Sequence, residues 1–245
     1  QAGIAVAIEA GKYLKKCVLE LGGSNAFIVL EDANLEKAVA TAVNARMQNA
    51  GQSCIAAKRF LVHEKIVDEF VAKFKVAIQN LKTGNPLDKE TQIGSLARVD
   101  LAEELELQVQ KSIQMGAKLI VGGNGKDAFY EPTILTNVTT EMPVFKEETF
   151  GPVAAIITFK TIEEAIKLSN QSEFGLGVSI FTQDIDFIKT KIPSFNEGAV
   201  FINEMVKSDP RLPFGGIKKS GYGRELAEDG IKEFVNVKTI IINTF

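Results

Sequence analysis

Two cysteines, one histidine and a few carboxylates set beside glycines are the residues of this 245-residue chain best suited to covalent chemistry. Cys54 comes first, in Gly51-Gln52-Ser53-Cys54. Gly51 reads as a helix stop, and Ser53 is placed to cap a new helical turn opening at Cys54. A thiol there would have its pKa lowered by the helix dipole and by unpaired amides, favouring the nucleophilic thiolate. The same amides could hold an oxyanion forming on a bound carbonyl. Burial as a small apolar residue is the commoner fate of a free cysteine, and the local sequence alone leans that way. Cys17, read as part of a strand between Lys16 and Val18, is assigned that inert role.

Glu20 interrupts the apolar run Val18-Leu19-Glu20-Leu21 just before Gly22-Gly23. An acid at a strand end, beside glycines that permit close approach, suits a general base. It equally suits the polar side of a half-buried strand. Glu147-Glu148-Thr149-Phe150-Gly151-Pro152 pairs carboxylates with an aromatic ring and a turn, which could grip a hydroxylated ligand such as a ribose. A solvated acidic loop is the ordinary reading of such a stretch. Pro213-Phe214-Gly215-Gly216 and Ser220-Gly221-Tyr222-Gly223-Arg224-Glu225 are dense enough in glycine to imply tightly packed backbone.

Other motifs fail. Gly123-Asn124-Gly125-Lys126-Asp127-Ala128 matches a dinucleotide loop loosely, but Tyr130 and Pro132 follow where a helix should start. Cys17, Cys54 and His63 lie at the wrong spacing for a zinc site, so no metal is expected. His63, nine residues after Cys54, reads as a helix-start residue, with a Cys–His dyad left open.

Strands and helices must alternate to hold these loops. Strands are expected at 18–21, 26–30, 60–62, 117–121, 153–159, 177–182, 198–202 and 237–242. Asp32 or Asn34 can cap a helix carrying Leu35, Ala38, Val39, Ala42 and Val43. Further helices are expected on Ile66, Phe70, Val71, Phe74 and Ile78, and at 96–115, 161–170, 184–192 and 224–234. Single helices between strands predict α/β layers around a largely parallel sheet. The chain opens on an apolar-periodic helix, Ala2, Ile4, Ala5 and Ile8, with no Met and no cap, which reads as a cut.

Composition narrows the classes. Net charge is −3, from 28 basic and 31 acidic residues, with no basic block, so nucleic acid and anionic membranes are poor partners. Even with Thr158 counted in, the apolar stretch 153–159 is far short of the roughly 20 residues that a membrane span needs. No signal-peptide plan is present, and two cysteines make no disulfide framework, so a cytoplasmic setting is expected.

Taken in order, Glu-Leu-Gly-Gly at 20–23, Gly-Gln-Ser-Cys at 51–54, Glu-Glu-Thr-Phe-Gly-Pro at 147–152 and Pro-Phe-Gly-Gly at 213–216 resemble the signature motifs of the aldehyde dehydrogenase superfamily. The interval of 34 residues from Glu20 to Cys54 also resembles the family's spacing of base and nucleophile. The resemblance runs over the whole chain. It implies the three-layer α/β catalytic domain of that family and oxidation of an aldehyde to a carboxylic acid with NAD or NADP. Cys54 would add to the aldehyde carbon, giving a thiohemiacetal whose oxyanion is held by a backbone amide and an asparagine. Hydride transfer would leave a thioester, hydrolysed by water that Glu20 activates. A carboxylate at Glu20 also implies the hydrolytic branch, as coenzyme-A-acylating relatives lack one there.

Glu148 would bind the nicotinamide ribose, Phe150 would pack beside it, and Leu21 would lie near the ring. Phe214, Asn203, Ser53, Ser208 and Arg211 would surround the aldehyde, with Phe214 lining its tunnel. Two stretches, Cys54-Ile55-Ala56-Ala57-Lys58-Arg59-Phe60 and Ser208-Asp209-Pro210-Arg211-Leu212-Pro213, resemble bacterial succinate-semialdehyde dehydrogenases. Arg211 could pair a substrate carboxylate bidentately. Gln48 departs from one branch of that group, which carries arginine six residues before the cysteine, so a broader aliphatic aldehyde fits almost as well.

Family members are about twice this length. The resemblance therefore divides the chain into 1–22, the last helix and strand of a cofactor domain, 23–235, the catalytic domain, and 236–245, a strand pairing subunits of a homodimer or homotetramer. Most of the dinucleotide domain, with its glycine-rich loop, its ribose lysine and the oxyanion asparagine, is expected to precede Gln1. The 245 residues alone are then expected to be inactive as a dehydrogenase. Were the short chain the native protein, a cofactor-free thiol esterase or a binding or oligomerisation module would be the alternative.

Overall fold

The computed structural model describes residues 2–244. Its centre is a seven-stranded sheet. The strands are β1 (Asn25–Val29), β2 (Ala57–His63), β3 (Lys118–Val121), β4 (Thr133–Thr136), β5 (Val153–Phe159), β6 (Val178–Phe181) and β7 (Val200–Ile202). Their spatial order is β7-β6-β1-β2-β5-β4-β3, with every pair parallel except β4–β3 at one edge. The expected α/β class with a largely parallel sheet is what the chain adopts. Central β1 reads Asn-Ala-Phe-Ile-Val and is buried throughout, the pattern of a strand covered on both faces.

Helix α1 (Ala2–Lys12) leads into a short ribbon in which Leu19–Glu20 pairs antiparallel with Gly221–Tyr222. Helices α2 (Leu35–Met47), α3 (Val67–Gln79) and α4 (Val99–Gln114) follow β1 and β2. The cap of α2 is Asn34, whose side chain accepts from the Lys37 amide at 3.1 Å. Helices α5 (Ile162–Asn170) and α6 (Ile185–Lys191) connect β5 to β6 and β6 to β7, and α7 (Ala227–Lys232) comes last. The first crossovers run from β1 towards β2 and the later ones the opposite way across the sheet. Right-handed connection then puts α2 on one face and α5 and α6 on the other, and α3 packs beside α2.

An aromatic row stiffens the middle of the sheet. Phe181 of β6 stacks on Phe27 of β1 at 4.6 Å, Phe27 meets Phe60 of β2 at 5.2 Å, and Phe60 meets Phe74 of α3 at 5.3 Å. Each contact adds about 0.5–1.5 kcal/mol beyond simple burial. The row ties together three neighbouring strands whose amino ends carry the candidate chemistry.

Three expectations need correction, and the stretch 237–242 stays unpaired within the chain: residues 236–244 have no regular structure, and Val237, Ile240, Ile241 and Ile242 are exposed. β-branched residues favour an extended chain, but a strand exists only against an edge, and no described strand pairs with this one. Cys17 lies in the loop after α1, not in a strand. His63 ends β2, with its Nε2 3.0 Å from the Lys160 carbonyl, and does not open a helix. In α1 it is Gly3 that is buried, while Ile4 and Ile8 face outward. Gln1 and Phe245 lie outside the described residues. No helix among the described residues is long and apolar enough to cross a membrane.

Candidate active site

Strands β6, β1, β2 and β5 are adjacent and parallel, so the loops entering them lie side by side at the amino edge of the sheet. Those loops carry Gly22–Ser24, Ser53–Cys54, Glu148–Pro152 and Leu176–Gly177. Topology therefore gathers three motifs that are up to 130 residues apart in sequence. It does so at the edge opposite to the one where open α/β sheets usually bind ligands.

The expected helical turn at Cys54 is absent. After α2 the chain turns through three left-handed residues, Asn49 at φ +53°, Ala50 at +52° and Gly51 at +75°, and Ser53 to Ala56 closes a single turn through Ala56 N–H to Ser53 O at 3.2 Å. Chain length explains it: β2 starts at Ala57, which leaves no room for a helix. Cys54 is half-buried. Burial pushes its thiol pKa up; the Lys58 ammonium and the Ile55 amide oppose that, while the charges of Glu148 and Glu20 add to it. The nucleophile's support thus comes from a lysine and not from a helix dipole.

That lysine lies before the strand expected at 60–62, yet it is in β2 and its side chain is wholly buried. Its Nζ donates to Ser53 O at 2.8 Å and Cys54 O at 3.0 Å, and lies 3.3 Å from Glu148 Oε1. Burial and the neighbouring Arg46 lower its pKa to about 7, and Glu148 opposes them. Arg46, also buried, donates to Ala57 O at 3.0 Å and Gly51 O at 2.5 Å. Asn25 braces the loop from β1, donating to Ile55 O at 2.9 Å and accepting from Gly177 N–H at 3.0 Å. Sequence reading missed these supports. One signal was available: Arg46 is four residues from Ala42 and eight from Ala38, on the buried stripe of α2.

Gly51 shows how little slack the loop has. A Cβ at this position would meet the Gly151 carbonyl oxygen at 2.3 Å and its carbon at 2.4 Å. Both are backbone atoms, and the positive φ adds strain. Gly51→Ala is expected to cost about 3 kcal/mol in urea unfolding and to alter the environment of Cys54. A stability within a few tenths of a kcal/mol of the parent would contradict this geometry.

Glu20 sits on the ribbon beside the fourth motif, where a Cβ on Gly215 would lie 3.0 Å from its Oε1. Both of its carboxylate oxygens are buried without a hydrogen-bond partner. Burial, helped by the charge of Glu225 and opposed by Arg224, raises its pKa to about 7. An unpartnered carboxylate poised near neutrality has the character of a general base.

Glu148 accepts from Gly23 N–H at 2.9 Å through Oε1, the same atom that faces Lys58. Its Oε2 is turned to Gly22, where a Cβ would come within 2.2 Å. Glycine thus leaves a notch beside a free carboxylate oxygen. The notch opens on a cleft of about 720 Å³ between α1 and the ribbon, lined in part by Gly3, Ile4, Leu21, Gly22 and Tyr222. Glu148 also borders a second cleft of about 390 Å³, and that is the one Phe150 lines. Leu21 packs its side chain on Gly3 of α1.

The remaining candidates separate. Ser53 is in the nucleophile loop, and its carbonyl is held by Lys58. Phe214 is buried and pairs its backbone with Glu225, one residue before Gly215. Asn203 follows β7 at the carboxyl edge of the sheet, away from Cys54. Its amide is spent on Thr182, accepting from N–H at 3.0 Å and donating to O at 2.8 Å. Ser208 and Arg211 are on an exposed loop, where Arg211 grips Asp209 through Nε at 2.9 Å and a terminal nitrogen at 2.6 Å.

Comparison with known proteins gives the family. Residues 1–240 match the model of the aldehyde dehydrogenase family. The chain is 51% identical over 243 residues to the succinate semialdehyde dehydrogenase (NAD(P)+) Sad of Escherichia coli, covering 98% of this chain and 53% of that protein. It is 50% identical over 244 residues to a probable succinate-semialdehyde dehydrogenase (NADP+) of Synechocystis, covering 98% and 54%. Among solved structures, the glyceraldehyde-3-phosphate dehydrogenase GapN of Methanocaldococcus jannaschii, complexed with NADP, superposes with a TM-score of 0.94 at 41% identity, over 99% of this chain and 53% of that one. The chain spans about half the length of the curated relatives it matches. On the family match over residues 1–240 and on these identities, the chain belongs to the aldehyde dehydrogenase family.

Proposed function

We propose that this chain supplies the nucleophile and the hydrolytic base for NAD(P)-dependent oxidation of an aldehyde to a carboxylic acid, with succinate semialdehyde as the leading substrate. The observation that carries the reading is that the turn of Cys54, a half-buried thiol, closes on Gly23, three residues along the chain from Glu20, whose carboxylate is buried and unpartnered. The two relatives named for succinate semialdehyde support the substrate.

Cys54 as thiolate adds to the aldehyde carbon, and the carbonyl π electrons move to oxygen. Glu148 and the Gly22 notch fit a dinucleotide's ribose: an acceptor oxygen faces a cleft, with no side chain in the way. Leu21 forms the neighbouring wall. When bound, the nicotinamide supplies the hydride acceptor that brings the cysteine adduct to a thioester. Glu20 then takes a proton from water as that water attacks the thioester carbon. The C–S bond breaks, the acid leaves and Cys54 is regenerated.

Arg211 belongs to this proposal as the partner of the substrate's distal carboxylate. It would first have to release Asp209, which now holds it in a bidentate pair. Ser208 is on the same loop, and Phe214 would form the apolar wall of the aldehyde channel. A cytoplasmic, homo-oligomeric enzyme is part of the same reading. The test, on the protein as its source organism makes it, is the initial rate of NADP+ and NAD+ reduction with succinate semialdehyde against butanal. Succinate semialdehyde is expected to win by at least tenfold in kcat/KM. Equal values would end the substrate assignment, and no reduction with either aldehyde would end the redox assignment.

A further inference from the structure

The last torsion of a glutamate is broad and roughly two-fold, so a single hydrogen bond does not fix the plane of its carboxylate. At Glu148 two groups meet the same oxygen. Gly23 N–H donates to Oε1 at 2.9 Å, and Lys58 Nζ lies 3.3 Å from it. Lys58 enters from β2 with its side chain wholly buried, and it is itself held. Two of its three N–H groups go to Ser53 O at 2.8 Å and Cys54 O at 3.0 Å, which leaves the third for Glu148. With Oε1 engaged twice, the planar carboxylate has one place for Oε2, and that oxygen is turned to Gly22 and its cleft. Gly23 closes the frame from behind, since a Cβ on it would lie 2.5 Å from Cys54 O. Arg46, the other buried cation nearby, is no substitute, because it donates to the backbone carbonyls of Ala57, Gly51 and Thr149.

We propose that Lys58 is a positioning residue for the nicotinamide-side ribose: by holding Glu148 Oε1 against the nucleophile turn, it presents Oε2 to the sugar's hydroxyls. The proposal rests on the reading of Glu148 as the ribose acceptor. Lys58 is sealed from solvent, so a ligand in the cleft feels it only through Glu148. Its effect on binding must therefore disappear once that carboxylate is gone. The same nitrogen that sets Glu148 also holds the carbonyls on either side of the Ser53–Cys54 peptide bond. The ribose acceptor and the nucleophile turn thus share one anchor, which places a bound sugar in register with Cys54.

The test is dinucleotide affinity, measured by calorimetry on the protein as its source organism makes it. It is run at pH 6, where Lys58, lowered by burial to about 7, carries its third proton. NAD+ and NADP+ are each compared with an adenosine half, ADP and 2′,5′-ADP, which lack the nicotinamide ribose. Lys58→Met is expected to weaken the dinucleotides about tenfold and to leave the adenosine halves within about twofold of the parent. Glu148→Gln is expected to lose at least as much. Adding Lys58→Met to Glu148→Gln is expected to cost less than about twofold more, because the lysine acts through that carboxylate. An equal loss for dinucleotide and adenosine half in Lys58→Met marks a general disturbance of the fold and overturns the proposal. Full additivity in the double variant overturns it too. Should Lys58→Met fail to fold, Lys58→Gln, which keeps donors for the two carbonyls, carries the same comparison with the same outcomes. Parent-like dinucleotide affinity in Glu148→Gln sinks the ribose reading and this proposal with it. A weakened Glu148→Gln beside a parent-like Lys58→Met sinks this proposal alone. Binding needs no aldehyde and no turnover, so a dead dehydrogenase leaves the result readable.

Discussion

Replacing Cys54 with serine is expected to abolish both aldehyde oxidation and the hydrolysis of 4-nitrophenyl acetate, lowering turnover by about three orders of magnitude or more. The argument rests on what the site gives the nucleophile. Neither carboxylate acting on Cys54 is base enough for a hydroxyl: Glu148 Oε1 is committed to Gly23 and Lys58, and Glu20, with a pKa of about 7, is too weak to generate an alkoxide. A thiol can use such a site because its intrinsic pKa is low enough for a nearby ammonium to matter. A hydroxyl cannot. The ester assay isolates the thiol's part, since attack on the ester carbonyl expels 4-nitrophenolate and leaves an acetyl thioester without any hydride transfer. An ester burst and turnover in Cys54→Ser equal to the parent's would remove Cys54 from the mechanism altogether. A lost ester reaction with intact aldehyde oxidation would move the redox chemistry to another residue.

Cys54, Glu20 and Glu148, the residues proposed as nucleophile, base and diol-binding acid, were legible because each lies in a short motif next to glycines, and the order of the motifs survives any fold. Their convergence was legible only in part. Alternating strands and helices predict a parallel sheet, but adjacency of β6, β1, β2 and β5 is what brings the motifs to one edge, and strand order is a long-range property. Lys58 and Arg59 mark the limit most clearly. The strand was expected only from residue 60, yet β2 begins at Ala57 and buries the side chains of both. Their charge is met by carbonyls: Ser53 and Cys54 for Lys58, and Ser24, Leu168 and Ser169 for Arg59. Carbonyls leave no trace in a sequence, so a buried cation served by backbone looks like a surface one. The tail differs: 237–242 has strand-forming residues and, within this one chain, no edge to pair with among the described residues.

Glu20→Gln is expected to separate the two halves of the reaction. Acylation of Cys54 should persist as a burst of 4-nitrophenolate, while steady turnover falls by about two to three orders of magnitude, the usual worth of a positioned general base. The pH dependence has a definite sign. Burial and Glu225 raise the Glu20 pKa from 4.5 to about 7, so the carboxylate that accepts water's proton is populated only above about 7. Parent deacylation should therefore climb through pH 7 and level off, and the glutamine variant should show no such climb. Glu225→Gln removes a charge that raises that pKa, so its profile should move to lower pH. Stability moves in the opposite direction to activity. A carboxyl raised in the folded state binds its proton more tightly there than in the unfolded chain, so its contribution to stability declines from about pH 4.5 to 7. Glutamine carries no such penalty, and the variant should be no less stable than the parent at pH 8. A variant that loses turnover while keeping its fold and its burst assigns the base to Glu20. One that deacylates at the parent rate, with the same rise through pH 7, moves the role to another group.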